Sequence, residues 1–405
     1  MSQKFITFLG TGPYKVCRYL LDGKISNDVI FIQEVIIKEI CKNFTKDDEI
    51  LIFLDDGAKQ ANWNSLTQVL RNLGLKCKIT DIDITEDIKN DIWAIFELIY
   101  NHLEINDSLF FDVTHSFRYL PIVCFSVLSY AKYLKNIHVK GIYYGAFELR
   151  DKDKNISPII NLVDCYNLME WANAADLFTN YGITDKLKKI VDGTTANTYH
   201  DESRKLVFNI NSITKNMNCN RGQKIIEGNL FKNCSKQIKE ISQENILPAF
   251  KPILEKVQAK IENFSLNSPN NFLPATKWYL KHDMIPQGIT MLQEGLITWL
   301  LSKYNLDFQD RLLRETISAL LSKRFDNKTE WIPPRNYETY KLQAETIMND
   351  KNYTLFCPIY KKITEIRNDV NHGGFRKNSM SPELIKEKMQ IYYEEIKSII
   401  DLETD

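Results

Sequence analysis

The first 150 residues carry a series of short, largely apolar runs separated by stretches of helical character. The runs are 5–9, 50–54, 76–82, 109–113 and 139–144. Strands that are apolar on both faces lie inside a parallel sheet covered by helices. Helices are expected over 27–44, capped by Asn27 and Asp28, then over 86–103 and 117–134. Residues 1–165 are therefore expected to form a doubly wound, Rossmann-like α/β domain with a parallel sheet. Ligands of such sheets bind at the carboxyl ends of the strands, where the connections change direction.

Beyond residue 165 the strand signals fade and the pattern becomes all-α. Residues 166–182 read as a connecting helix carrying Trp171, within a mainly helical linker region, 166–244. Residues 245–405 read as a helical domain with segments at 288–303, 310–324, 338–349, 354–371 and 382–402. The 405 residues carry 52 basic and 52 acidic side chains, so the chain lacks the charge excess of a dedicated duplex-binding protein. Eight cysteines are scattered without zinc-site spacing, as expected of reduced core thiols in a cytoplasmic protein. No run of apolar residues is long enough to span a membrane.

Two polar motifs follow strand ends. The first is Gly10, Thr11, Gly12, Pro13 and Tyr14. A dinucleotide fingerprint would need a third glycine at position 15, where Lys15 stands. A tight glycine loop can still present backbone N–H groups to a phosphate, or serve as a plain turn. The second motif holds Asp112, Thr114, His115 and Arg118 between an apolar strand and an apolar helix. Donors at that position suit an anion, and the same residues could form a helix cap with a salt bridge.

Together these segments resemble the sensing domain of CRISPR-associated CARF proteins of type III systems. The resemblance rests on FLGTGPY at 8–14, DVTHSFRYLP at 112–121, VKGIYYGAFE at 139–148, IINL at 159–162 and Trp171. It implies a domain that binds cyclic oligoadenylate, most closely cyclic tetra-adenylate, across the two-fold axis of a homodimer. Gly10, Thr11, Gly12, Pro13, Tyr14, Asp112, Thr114, His115 and Arg118 would line that pocket. A two-fold symmetric ring suits a dimer in which each protomer offers the same patch.

A third motif lies near the end of the 354–371 segment: Arg367, Asn368 and His372, followed by Gly373 and Gly374. Asn368 and His372 are four apart and share a helix face. Arg367 and His372 are five apart, about 140° around an ideal helix. They converge only if the helix ends near His372 or if a dimer axis gathers them. The pattern resembles the R-x4-6-H signature of HEPN ribonucleases. That resemblance implies a metal-independent endoribonuclease acting on single-stranded RNA, with a catalytic site composed across a dimer. It also implies products ending in 2′,3′-cyclic phosphate and 5′-OH. Histidine exchanges protons near neutral pH, and arginine matches phosphate geometry.

Other features read as structure. Asp151 to Ile156 resembles the start of a calcium loop but lacks its glycine and its closing glutamate, so a hairpin turn is expected. Asp55 and Asp56 lack a third carboxylate nearby and read as a strand-end loop, while Trp278, Met291 and Trp299 fall on core spacings. Two other functions remain open: a nucleotide-responsive regulator without nuclease activity, and a phosphodiesterase using Thr114 and His115 on the cyclic ligand itself. No clear DNA-recognition helix supports binding to DNA.

Overall fold

The computed structural model describes residues 2–115, 119–193, 200–243, 251–323, 333–375 and 377–404. The chain divides into two compact units, Met1–Met169 and Glu170–Asp405.

The first unit contains, in order, β1 (Gln3–Phe8), β2 (Arg18–Leu21), β3 (Lys24–Ile25), α1 (Ile32–Ile40), β4 (Glu49–Leu54), α2 (Asp56–Ala58) and α3 (Asn64–Asn72). There follow β5 (Lys78–Asp83), α4 (Glu86–Lys89), α5 (Ile92–Asn101), β6 (Ser108–Asp112), α6 (Leu120–Lys135), β7 (His138–Gly145) and β8 (Ile156–Asn161). All eight strands join one sheet in the order β3-β2-β8-β7-β6-β1-β4-β5. Strands β7, β6, β1, β4 and β5 pair in parallel and correspond to the five expected strands, with β5 at the sheet edge and only its Ile82 buried.

The expectation of a wholly parallel sheet needs correction. Strand β8 pairs antiparallel with β7, β2 runs parallel to β8, and β3 is antiparallel to β2. The sheet is mixed; β2 and β3 are too short to announce themselves, and β8 is interrupted by Pro158. Strands β2 and β3 are joined by Asp22 and Gly23, both at positive φ, the conformation of a tight two-residue hairpin.

Alternation along β1, β4 and β6 explains why those runs are apolar on both faces. Phe5, Ile50, Ile52 and Leu54 face one core with Ile32 and Ile36 of α1 and Leu66 and Leu70 of α3. Ile6, Phe8, Leu51, Phe53, Leu109 and Phe111 face the other, with Ile95 and Ile99 of α5 and Val123 and Val127 of α6. Successive side chains point to opposite faces, and helices cover both.

Three helix expectations are also corrected. The helix expected from Asn27 starts at Ile32, because Val29 first exchanges both backbone hydrogen bonds with Cys17 at 3.0 Å. The 86–103 segment breaks at Asn90, and the Asp91 carboxylate accepts the Trp93 N–H to cap α5. Asp55 does not lie in an open loop; it caps α2 by accepting the Ala58 N–H at 2.8 Å and pairs with Lys89 at 3.0 Å. The Asp151 segment is the expected turn, with its carboxylate accepting the N–H groups of Asp153 and Lys154.

Helix α7 (Val163–Tyr181) contains the boundary between the units. The second unit continues with α8 (Asp185–Gly193), α9 (His200–Asn218), α10 (Gly222–Glu227), α11 (Asn229–Gln243), α12 (Lys251–Ile261), α13 (Phe272–Lys281) and α14 (Ile285–Lys303). It closes with α15 (Arg311–Lys323), α16 (Lys341–Met348), α17 (Tyr353–Asn371) and α18 (Pro382–Thr404). One hydrophobic core joins early and late helices alike, from Phe178, Ile213 and Phe231 to Leu296, Tyr360 and Ile396. Trp278, Met291 and Trp299 are buried in it. Six cysteines are buried, but Cys165 and Cys219 are exposed, so not all eight are core thiols. Among the described residues no helix is long and apolar enough to cross a membrane.

One glycine tests the packing at the strand ends. A Cβ on Gly145 would sit 1.9 Å from Cδ1 of Ile32 and 3.2 Å from Cγ2 of Thr114. Gly145→Ala should therefore destabilise the protein by about 1–3 kcal/mol in urea unfolding, the usual range for overpacking. Adding Ile32→Val, which removes the clashing methyl, should recover part of the loss. A fully additive double variant would show that the contact is not the cause.

Candidate functional site

The sheet changes direction at β1. After the β2–β3 hairpin at the far edge, the chain adds β4 and β5 on one side of β1, then returns to β6 and β7 on the other. The carboxyl ends of β1 and β6 thus border the switch point of the sheet, where a crevice forms by topology alone. The Gly10–Tyr14 loop leaves β1 there, and Thr114 and His115 leave β6 beside it.

The loop is tied from three directions. Asn62 donates to the carbonyls of Gly10 at 2.8 Å and Gly12 at 3.2 Å. The Gly10 N–H donates to the Tyr14 hydroxyl at 3.0 Å. The Tyr14 ring packs between Phe31 and His115, with centroids at 4.7 and 4.4 Å. Burial raises the Tyr14 phenol to about 12, against the lowering effect of the Gly10 contact. Thr11, Gly12 and Pro13 are exposed at the tip. Among the described residues the N–H groups of Thr11 and Gly12 have no internal acceptor. Amides left in this way suit an anion.

Asp112 occupies the centre of the arrangement and is fully buried. Its carboxylate accepts from the Thr7 hydroxyl at 2.7 Å, the Thr114 N–H at 3.0 Å and the Thr114 hydroxyl at 2.6 Å. The Thr114 hydroxyl also accepts the Gly145 N–H at 2.8 Å. Asp112 and Thr114 therefore lock β1, β6 and β7 together, leaving His115 to face Tyr14. Burial pushes the His115 imidazole below its ordinary value, against the opposing charge of Asp112. Arg118 lies outside the described residues. Sequence reasoning missed Thr7, Asn62 and Gly145. Asn62 gave no signal, because it sits in a π-helical turn, Lys59–Trp63, with no motif around it.

The second constellation lies wholly in the second unit. Helix α17 ends at Asn371, and His372 caps it in a near-helical conformation, its N–H donating to the Asn368 carbonyl at 3.0 Å. Gly373 and Gly374 then adopt φ of +62° and +71°, which side chains rarely tolerate, and turn the chain away. Asn368 and His372 are exposed; Arg367 is partly buried. Arg367 Nη1 lies 3.7 Å from Glu294 Oε1 on α14, and its Nε is buried without a hydrogen-bond partner. The other Glu294 oxygen accepts from Arg314 at 2.7 Å. Arg314 is further fixed by the Thr298 hydroxyl and the Phe308 carbonyl. Glu294, Thr298 and Arg314 line a cleft of about 510 Å³. Glu294, on a different helix from the motif, is a member of this site that the sequence did not reveal.

The family described as "CRISPR system endoribonuclease Csx1, CARF domain" matches residues 4–148, which contain the whole switch-point arrangement. The family described as "CRISPR-associated protein MJ1674, second domain" matches residues 167–268. The chain is similar to CRISPR-associated proteins that carry a CARF domain. One curated relative, CRISPR-associated protein MJ1674 of Methanocaldococcus jannaschii, is 22% identical over 326 residues. That match takes in 75% of this chain and spans 43% of the relative. The CARF match fits the Rossmann-like sheet of the first unit, and the second unit is helical.

The buried histidine gives a pH test of the switch-point packing. A folded-state value below the ordinary ~6.5 means that folding favours neutral imidazole. The associated stability is complete above that value and is lost as pH falls toward the folded one. Wild-type unfolding free energy should drop more steeply than that of His115→Phe as the solution is acidified from pH 7. Identical slopes would show that His115 is not held neutral by its surroundings.

Proposed function

We propose that this protein is a ribonuclease of type III CRISPR antiviral defence, switched on by cyclic oligoadenylate. The first unit senses the ligand and the second cuts single-stranded RNA. The observation that carries this reading is the Arg367, Asn368 and His372 motif at a helix end in a chain whose first unit matches a CARF domain. Support for the sensor is the anion-suited loop at the switch point. Support for the nuclease is the exposed His372, held at a turn that only glycine accommodates comfortably, and the HEPN-like spacing of the motif.

The chemistry uses the nucleophile that RNA carries. The 2′-oxygen attacks the adjacent phosphorus, its proton passes to a base, and the 5′-oxygen leaves with a proton. The products are a 2′,3′-cyclic phosphate and a 5′-OH. His372 moves protons near neutral pH, Arg367 stabilises the charge that develops on phosphorus, and Asn368 contributes a polar contact. In this reading Arg367 exchanges its long contact with Glu294 for the substrate phosphate, no metal is required, and DNA is not cut because it lacks the 2′-OH. The site is composite, with two protomers each supplying one Arg367 and one His372, and the protein works in the cytoplasm as a homodimer or an assembly of dimers. In the sensor, the Thr11 and Gly12 amides, Tyr14, His115 and Arg118 meet a ligand such as cyclic tetra-adenylate, while Asp112 and Thr114 position them. The Thr114 hydroxyl already donates to Asp112 and accepts from Gly145, which favours positioning over catalysis on the cyclic ligand.

His372→Ala should abolish RNA cleavage and leave oligoadenylate binding intact, and wild-type cleavage should survive EDTA. Near wild-type cleavage by this variant would remove the active-site assignment. Thr114→Ala and Arg118→Ala should each weaken oligoadenylate binding roughly tenfold or more, the loss expected for a charge-assisted hydrogen bond or its support. Unchanged affinity of both in isothermal titration would place the ligand elsewhere.

A further inference from the structure

Between α8, α9 and α11 lies a groove of about 590 Å³ that the reading above does not use. It falls within residues 167–268, matched only as a second domain. Lys188 enters from α8, Arg204 and Lys205 from α9 and Lys236 from α11. Among the described residues one carboxylate, Glu240, lines it with them. In a chain of formal net charge +0, this is a local concentration of positive charge. Its internal ion pairs are weak competitors. Lys236 lies 3.7 Å from Glu240 with both side chains more than half exposed, and Lys205 pairs with Glu202. Such exposed pairs stabilise little, so an arriving phosphate can displace them. Among the described residues Lys188 and Arg204 have no ion-pair partner.

The groove also displays an aromatic ring. Phe208 is 71% exposed, while its neighbours Leu206 and Val207 are buried in the core. It stands four residues after Arg204, one turn along the same face of α9. A ring left in water beside cations is unfavourable in isolation. It is the expected arrangement where a strand of nucleic acid is gripped by its phosphates and its bases stack on a side chain. A duplex would keep its bases stacked internally and could not use Phe208 in this way.

We propose that this groove is an accessory binding site for single-stranded RNA, with Lys188, Arg204 and Lys236 contacting phosphates and Phe208 stacking on a base. From the preceding reading it takes only the identity of the substrate. The groove raises the local concentration of RNA around the second unit without taking part in the cleavage step.

The test uses full-length His372→Ala protein and a short fluorescein-labelled single-stranded RNA, followed by anisotropy across a salt series. Phe208→Ala should weaken binding about five- to a hundredfold, as for loss of one stacked base, and Phe208→Trp should retain it. Replacing Lys188, Arg204 and Lys236 with Gln should lower affinity and reduce the slope of log K against log salt by about 0.7 per lost phosphate contact. Duplex RNA of equal length should bind less tightly and be indifferent to Phe208. In cleavage-competent protein the same changes should raise KM and leave kcat and oligoadenylate binding unaltered. Wild-type affinity and salt slope in both groove variants would overturn the proposal. So would Phe208→Ala altering sedimentation instead of RNA binding, which would give the groove to a second copy of the chain. Groove-dependent RNA binding by a protein that never cleaves RNA would uphold this site and sink the ribonuclease reading, so the two failures are distinguishable.

Discussion

The Asp112 carboxylate is the point on which the first unit depends. It is fully buried and receives three donors, from Thr7 on β1 and from the N–H and hydroxyl of Thr114 after β6. Thr114 passes the connection on by accepting the Gly145 N–H at the end of β7. Three neighbouring strands of the sheet are thus fixed to one another at their carboxyl ends, where parallel topology opens a crevice. A buried acceptor is expensive to leave unsatisfied, so the arrangement is held in one register. Everything that faces the crevice inherits that rigidity, from the strapped Gly10–Tyr14 loop to the His115 ring packed on Tyr14. The close approach of Gly145 to Ile32 belongs to the same construction, since a side chain there would separate β7 from α1.

The helical unit handles charge in a different way. Glu294 holds Arg314 at 2.7 Å and Arg367 at 3.7 Å, so one arginine is anchored and the other only tethered. The anchored one has backbone and hydroxyl acceptors as well; the tethered one keeps a buried Nε without a partner. An incompletely satisfied guanidinium is suited to exchange its contact for a phosphate, whose geometry it matches better. Arg367 precedes the exposed His372 by five residues, so the two lie at one helix end but about 140° apart around it.

How much of this was legible in the sequence follows from the physics of each element. Strands β1, β4 and β6 could be read because burial on both faces leaves them apolar almost throughout, whereas β5, at the sheet edge with only Ile82 buried, is marked only by Ile79 and Ile82. Strands β2 and β3 could not, being four and two residues long, although Asp22-Gly23 is a recognisable hairpin turn. Strand β8 carries a proline and ends on exposed residues, and its antiparallel pairing is a tertiary fact without a local signature. Helix α3 was hidden because only Leu66 and Leu70 of its nine residues are buried. The glycine loop, the strand-end motif and the helix end at His372 were legible because each combines an unusual residue with a predicted boundary. Their supports were not: Thr7, Asn62 and Glu294 reach their partners only through the fold, and nothing in their own neighbourhoods marks them.

In the proposed function a ligand-responsive α/β unit controls a helical unit that acts on RNA. Ligand can shift activity only if it binds the active arrangement more tightly than the resting one. The most direct measurement is the initial rate of single-stranded RNA cleavage by the wild-type chain, in EDTA, titrated with cyclic oligoadenylates of different ring size. The proposed function predicts a low basal rate and a saturable increase with one ring size, the products ending in 2′,3′-cyclic phosphate. A rate that is the same with and without every ring, or that disappears with EDTA, would contradict it.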